Sequence, residues 1–278
     1  MRRTWKAGLS LFKIRAAEGL QYRLAALSGA TISIFWALIE VVILSVFFRY
    51  GAKTADSVNS LTLAQGVSYV WLGQLMVMLQ MPGVDTDLHQ KITNGDIGIE
   101  LCRPLDLYWH WFARSAAGKV NTFALRGGLV VVCGTLLTLL GFDRVGLGAP
   151  QSFLHFALFL VSVFSAFLFS GAWSMFLTSI RIPVTWGDGP INLITVTGSV
   201  LSGTYLPLQL WPDAMQSFLK LQPFASFLDT PARLFVGTVP IKTGLLSILL
   251  QLVWTCAFVL LGKLIMQHGL KSVIVQGG

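Results

Sequence analysis

The feature that most constrains this chain is a series of apolar stretches, each about as long as a helix that crosses a bilayer. An α-helix rises 1.5 Å per residue, so about 20 apolar residues span the hydrocarbon core. Six stretches meet or approach this length, and they are residues 27–48, 61–81, 120–140, 153–180, 191–206 and 243–266. The pattern predicts an all-α integral membrane protein, with six transmembrane helices in a single domain.

The charged residues agree with this prediction and give the chain an orientation. Only 12% of the 278 residues are charged, and Lys and Arg (20) outnumber Asp and Glu (12). The basic residues concentrate before the first stretch, between the second and third, and after the fourth and sixth. Because cytoplasmic loops carry most Lys and Arg, both termini are predicted to be cytoplasmic. In a membrane protein such an excess is no indication of nucleic acid binding.

Two further elements are predicted at the cytoplasmic surface. Residues 4–24 place Trp, Leu and Phe at helical spacing beside Lys and Arg. This pattern indicates an amphipathic helix on the inner leaflet, or a basic tail that only sets the topology. Residues 82–119 form the most charged part of the chain, where Asp85 or Thr86 is placed to cap a short helix through Lys91 and Ile92. That helix is a candidate contact for a soluble partner, although an ordinary solvated loop explains the same composition.

Residues 207–240 are too apolar for a soluble loop and too rich in proline for one continuous span. Pro207 prevents the fifth stretch from simply continuing, and Asp213–Gln222 favours a short amphipathic helix. Non-helical backbone at membrane depth is tolerated only where it is buried in protein or lines a cavity. We therefore expect a re-entrant helical hairpin at the extracytoplasmic end, with Pro207 and Phe218 as gate candidates. A loop lying on the outer leaflet is the alternative.

Few residues point to chemistry within the chain. No P-loop, HExxH or GxSxG motif occurs, and the three cysteines are scattered, so neither a cofactor nor a metal is expected. Two ionisable residues inside the apolar stretches, Glu40 and Arg126, are candidates for lining a pathway, for pairing with another subunit or for snorkelling. The fifth stretch carries small and polar residues that either face a substrate path or allow close helix packing, and they include Asn192, Thr195, Ser199 and Ser202.

Two stretches carry a resemblance to a known family. KITNGDIGIELCRPLDLYW, at residues 91–109, has a Gly-Asp turn followed by an Arg-Pro pair. LSGTYLPLQLWPDAMQSFLKLQPFASFLDTPARLFVG, at residues 201–237, has a Ser-Gly, a proline after the fifth stretch and a later Gln-Pro-Phe. Together with the order of the six stretches, these signatures resemble the permease subunits of type-2 ABC exporters, in a branch associated with drug and natural-product efflux. The resemblance covers essentially the whole chain.

The resemblance implies a permease that pairs with an identical or homologous permease in a bacterial inner membrane. It also implies two copies of a separate, soluble ABC ATPase, which would bind ATP and Mg, and no cofactor in this chain. The short helix in the cytoplasmic loop would be the coupling helix seated in a cleft of the ATPase. The candidate coupling residues are Asp87, Leu88, His89, Gln90, Lys91, Ile92 and Arg103.

The family's substrates are amphiphilic drugs, antibiotics, peptides and lipids, and export follows only from the resemblance. An ion-coupled carrier or a membrane-embedded enzyme without an ATPase partner is the alternative. It requires acidic or His residues that converge within the spans, and Glu40 alone offers itself. The sequence leaves open the substrate and the choice between homodimer and heterodimer.

Overall fold

The computed structural model describes residues 23–51, 61–80, 90–91, 98, 106–182 and 189–272. These ranges are helical and contain no strand. The helices are α1 (Arg23–Val46), α2 (Leu63–Gln80), α3 (Leu107–Thr122), α4 (Gly128–Leu139), α5 (Phe153–Arg181), α6 (Gly189–Leu201), α7 (Asp213–Leu221), α8 (Asp229–Val236) and α9 (Ile241–Gly269). The predicted interfacial helix at residues 4–24 lies almost wholly outside the described residues, as does most of the predicted loop at 82–119.

Four of the described helices are long and apolar enough to cross a membrane. They are Leu24–Tyr50, Leu107–Leu139, Phe153–Arg181 and Ile241–Gly269. The first joins α1 to a π-helical turn (Phe47–Gly51), and the second joins α3 to α4 through another π-helical turn (Phe123–Gly127). They correspond to the first, third, fourth and sixth predicted stretches. Of the other two, α6 has 13 residues and α2 carries three glutamines among its 18.

Two helix boundaries differ from the predicted stretches for identifiable reasons. The third begins at Leu107 and not near 120, because the Asp106 carboxylate caps the helix by accepting a hydrogen bond from the Trp109 amide (3.3 Å). Its first turns are also held by a buried cluster that includes Tyr108 and Trp111. The fifth ends at Leu201 and not at 206, because Gly203 has φ +89°, a left-handed conformation that cannot continue an α-helix.

The core forms around α2 and α5. Helix α5 packs against α9 along much of its length and also contacts α3 and α8, while α2 packs against α1, α4 and α8. Most residues of α2 are buried within the protein, including Trp71 and Met76. This burial explains how α2 accommodates glutamines, since their side chains meet protein groups and not lipid.

Helices α7 and α8 form a hairpin that extends deep along α5 and α9. One end of the hairpin lies beside the start of α5, where the backbone N–H of Gln151 donates to the Phe235 carbonyl (3.2 Å). At the other end, Trp254 Nε1 donates to the Leu221 carbonyl (2.9 Å). A rise of 1.5 Å per residue places Trp254 about 20 Å along α9 from Ile241. The hairpin tip therefore lies about 20 Å along α9 from the start of that helix.

Candidate functional site

At Leu79 and Gln80, three helices and the segment that follows α6 exchange polar contacts. We call this group the α2 junction, and it consists of Leu79, Gln80, Lys119, Ser170, Ser202 and Thr204. The first two residues end α2, Lys119 belongs to α3, Ser170 to α5, and the last two follow α6. All six are buried or partly buried. The junction lies directly before the predicted coupling loop in the sequence.

Lys119 is the buried cation of the junction, with only 5% of its surface exposed. Its Nζ donates to the Leu79 carbonyl (3.1 Å), the Ser170 carbonyl (3.0 Å) and the Ser170 hydroxyl (2.5 Å). The Ser170 hydroxyl in turn donates to the Leu79 carbonyl. Three acceptors therefore match the three N–H donors of the ammonium group.

The position of Lys119 explains how a cation is tolerated there. Leu79 lies in the last described turn of α2, and its carbonyl and that of Ser170 give Lys119 two backbone acceptors. Among the described residues, no carboxylate lies within ion-pair distance of Lys119. The cation is thus stabilised by backbone and hydroxyl oxygens.

Gln80 fixes the end of α6 to the end of α2. Its Nε2 donates to the Ser202 hydroxyl (2.8 Å) and to the Thr204 hydroxyl (3.1 Å), and Thr204 donates back to Gln80 Oε1 (3.3 Å). These contacts lie at the place where α6 loses its helical conformation. Because all these groups are satisfied by one another, the junction is suited to holding helices together and transmitting displacement between them.

The two predicted pathway residues, Glu40 and Arg126, lie against different polar partners. Glu40 accepts a hydrogen bond from Gln74 Nε2 of α2 (3.2 Å). Arg126 lies in the π-helical turn between α3 and α4 and donates to the Ser33 hydroxyl of α1 (2.9 Å). The described residues include no ion pair between the two.

Of Asn192, Thr195, Ser199 and Ser202, only Ser202 belongs to the α2 junction. The hydroxyls of Thr195 and Ser199 donate to carbonyls of their own helix, at Ile191 (2.8 Å) and Thr195 (3.0 Å). Asn192 is exposed. The predicted gate residues differ from each other, since Pro207 is buried whereas Phe218 is 56% exposed.

The predicted coupling residues fall mostly outside the described residues. Gln90 and Lys91 are helical, which is consistent with the short helix predicted there. Asp87, Leu88, His89, Ile92 and Arg103 lie outside the described ranges. These assignments stay predictions.

Sequence reasoning missed Lys119, because its position after a charged segment placed it with the basic residues of a cytoplasmic loop. A signal was present in Asp106, a good N-cap residue ahead of an apolar run, which would have extended the helix through Lys119. The buried glutamines were missed as well. An amide inside an apolar stretch requires a polar partner, so Gln74, Gln80 and Gln251 each pointed to a helix contact.

Two further polar contacts connect the hairpin to the bundle. The Tyr69 hydroxyl of α2 donates to Asp229 Oδ1 at the start of α8 (3.1 Å), and Arg233 Nη1 lies 3.5 Å from Asp229 Oδ2. Gln251 of α9 accepts from the Ser162 hydroxyl (2.9 Å) and donates to the Ser226 carbonyl at the hairpin tip (3.0 Å). No group of His, Cys, Asp and Glu residues suited to a metal ion occurs in the described ranges.

Four helices long and apolar enough to cross a bilayer, packed together through buried polar contacts, define a multi-pass α-helical membrane protein. The family model described as ABC-2 family transporter protein matches residues 34–277. Because this match covers most of the chain, the protein belongs to the ABC-2 transporter family, and the resemblance to type-2 ABC permeases is confirmed. Members of this family are generally non-catalytic membrane subunits that work with an ATPase. The search of curated proteins returned no significant match.

Proposed function

We propose that this chain is the permease of an ATP-driven exporter in a bacterial inner membrane, with both termini in the cytoplasm. It pairs with an identical or homologous permease, and two soluble ABC ATPase subunits bind ATP and Mg and drive the pair. The transported substrate is an amphiphilic drug, antibiotic, peptide or lipid. Family membership supports the ABC permease part of this proposal, and the positive-inside distribution of Lys and Arg supports the orientation.

The proposed permease crosses the membrane six times. Helix α2 supplies the second crossing, since its 18 residues extend about 27 Å and Gln74 and Gln80 are buried among protein groups. Helix α6 and the irregular segment after it supply the fifth. Gln222 Nε2 at the hairpin tip donates to the Leu201 carbonyl (2.7 Å), and Gln209 Nε2 donates to the Thr238 hydroxyl near the outer end (2.9 Å). Irregular backbone is tolerated here because Gly203, Pro207 and Gln209 are buried.

The hairpin of α7 and α8 is proposed to re-enter the membrane from the extracytoplasmic side. Its tip contacts Trp254 and its far end reaches the start of α5, so it runs parallel to helices that cross the bilayer. Its side chains at the tip, Phe224 and Phe227, pack against aromatic residues of α5. This depth favours re-entry over a loop that lies flat on the outer leaflet.

The observation that carries the transport mechanism is the α2 junction. Helix α2 leads directly into the predicted coupling loop, and its last two residues bond to α3, to α5 and to the segment after α6. A force that the ATPase applies to the loop would therefore reach α3, α5 and the segment after α6 through hydrogen bonds and not through apolar contacts alone, which slide more readily. The broken end of α6 is the place where such a displacement would change the pathway.

The test is co-purification of the permease with its ATPase from membranes solubilised in a mild detergent. Residues 86–94 are replaced by a Gly-Ser linker of the same length, and Lys119→Met serves as the control because Lys119 lies on α3, outside the replaced segment. We expect the linker to abolish association and Lys119→Met to retain it. Association that survives the linker contradicts the coupling assignment. Transport that persists without the ATPase and collapses with an uncoupler contradicts ATP-driven export.

A further inference from the structure

A cavity of about 280 Å³ lies between the hairpin and the outer part of α9. Its polar lining comes from both sides of the gap and includes Lys220, Asp229, Thr230, Arg233, Thr243 and Ser247. The cavity shares no lining residue with the α2 junction. Nothing in the proposed coupling mechanism uses it.

The charged side chains that line this cavity carry a net positive charge. Asp229 is bound on both oxygens, by the Tyr69 hydroxyl and by Arg233. Lys220 makes no ion pair with any described carboxylate. Arg233 Nε is buried and has no hydrogen-bond partner among the described residues. Two cations and one carboxylate that is already bound, together with a buried donor, make the lining of the cavity favourable for an anionic acceptor.

The protein surface around the cavity is apolar and exposed. Lys220 stands next to Leu221, which is 63% exposed, and Leu246 on α9, between the lining residues Thr243 and Ser247, is 66% exposed. The cavity is well above the size that a single water molecule requires. That volume accommodates a phosphate or carboxylate group with some water, but it is too small for a long hydrocarbon tail.

We propose that this cavity binds the anionic head group, a phosphate or carboxylate, of an amphiphile whose tail lies on the exposed apolar surface of α7 and α9. Lys220 supplies the uncommitted charge, Arg233 the buried donor, and the hydroxyls of Thr243 and Ser247 complete the contact. A phospholipid of the membrane and an exported amphiphile share this chemistry. The site goes beyond the proposed transport function and does not depend on it, since its test requires no ATPase.

The experiment measures binding to the purified full-length chain in an uncharged detergent by native mass spectrometry. Four probes are compared: dioleoyl phosphatidylglycerol, its zwitterionic phosphatidylcholine counterpart, oleate and inorganic phosphate. Lys220→Gln removes the uncommitted charge, and Lys242→Gln is the matched control, because Lys242 is an exposed lysine on the first turn of α9 that does not line the cavity. Lys220 is exposed as well, so unchanged gel filtration and thermal unfolding without lipid verify that both variants fold.

We expect phosphatidylglycerol to bind more tightly than phosphatidylcholine, and Lys220→Gln to weaken it about tenfold, as the loss of a charge-assisted hydrogen bond implies. Lys242→Gln should change it less than about twofold if distant surface charge is screened. Binding of phosphatidylglycerol alone supports a lipid site, and binding of oleate as well supports a site for anionic amphiphiles in general. Equal binding of the two phospholipids, equal losses in the two variants, or inorganic phosphate binding as tightly as phosphatidylglycerol would each overturn the proposal.

Discussion

The contact between Lys119 and Ser170 makes the sharpest prediction about this permease, because it joins two helices through a charge-assisted hydrogen bond. The perturbation is a double-mutant cycle of Lys119→Met and Ser170→Ala, measured singly and together. Methionine keeps much of the volume of lysine and removes the charge, and alanine removes only the hydroxyl. The cycle isolates the interaction of the Lys119 ammonium with the Ser170 hydroxyl from the other contacts of either residue.

The expected coupling free energy follows from the geometry. A hydrogen bond to a charged group contributes about 1.5–3 kcal/mol, while cycles in a membrane protein average about 0.6 kcal/mol with a maximum near 1.7. The ammonium bonds to the Ser170 hydroxyl at 2.5 Å and is almost completely buried. We therefore expect a coupling of about 1–2 kcal/mol, above the average for neutral pairs. Lys119→Met also removes the desolvation cost of the buried cation, and this offsets part of the stability that is lost with its hydrogen bonds. The cycle is therefore more informative than that single variant.

The assay is equilibrium unfolding by sodium dodecyl sulfate in mixed micelles, followed by circular dichroism. Ser179→Ala is the matched control, since Ser179 is another buried serine of α5 whose hydroxyl donates only to its own helix, at the Met175 carbonyl (2.7 Å). The changes in unfolding free energy caused by Ser179→Ala and Lys119→Met should sum to that of the double mutant within about 0.5 kcal/mol. A coupling below about 0.3 kcal/mol between Lys119 and Ser170, or one equal to that of the control pair, refutes the role of the junction as a specific connection.

Three further predictions concern the pathway, helix packing and the hairpin. Glu40→Gln removes a charge but keeps a hydrogen-bonding side chain, so ATP-driven transport into inverted vesicles should stay within about twofold, and its loss would favour an ion-coupled carrier. A Cβ on Gly198 would lie 2.9 Å from the Phe224 ring, so Gly198→Ala should destabilise the protein by about 1–3 kcal/mol in the same unfolding assay. Gly189→Ala, where a Cβ meets nothing within 4 Å, is its control, and equal effects would contradict the packing. A fluorophore on Phe218→Cys should be quenched by nitroxides on lipid tails and not by aqueous iodide; the opposite result contradicts a re-entrant hairpin.

The long helices were predictable from sequence because local composition alone decides them. Helix α5 begins at Phe153 as predicted, and α7 occupies Asp213–Leu221 within the predicted amphipathic stretch. An apolar run of bilayer length has few alternatives to a helix, since unpaired backbone groups cost several kcal/mol in hydrocarbon. The existence of these elements therefore follows from residues adjacent in the chain.

The α2 junction was not predictable in the same way, because it depends on which helices meet. Leu79 and Ser170 are 91 residues apart in the sequence, and Gln80 and Ser202 are 122 apart. A lysine near a basic loop has the same local pattern whether it lies in solvent or caps a neighbouring helix. The early end of α6 was closer to a sequence signal, since glycine favours the positive φ found at Gly203. The surrounding threonines and serines are compatible with a continuing span, so the predicted span extended past Gly203.

Helix α2 is bound at both ends, and this gives the fold a means of linking its two surfaces. Its last described residues bond to Lys119 and Ser202; in its first two turns, Gln65 Nε2 donates to the Val236 carbonyl (3.2 Å) and the Tyr69 hydroxyl donates to Asp229 in the hairpin. Because a helix is stiff along its axis, a displacement of α2 at Gln80 that keeps these bonds must also displace the hairpin. Breaking them leaves buried polar groups unsatisfied, at about 1–3 kcal/mol for each group. Concerted movement of α2 and the hairpin therefore requires less free energy than movement of either alone, and the proposed coupling loop lies at the end of that helix.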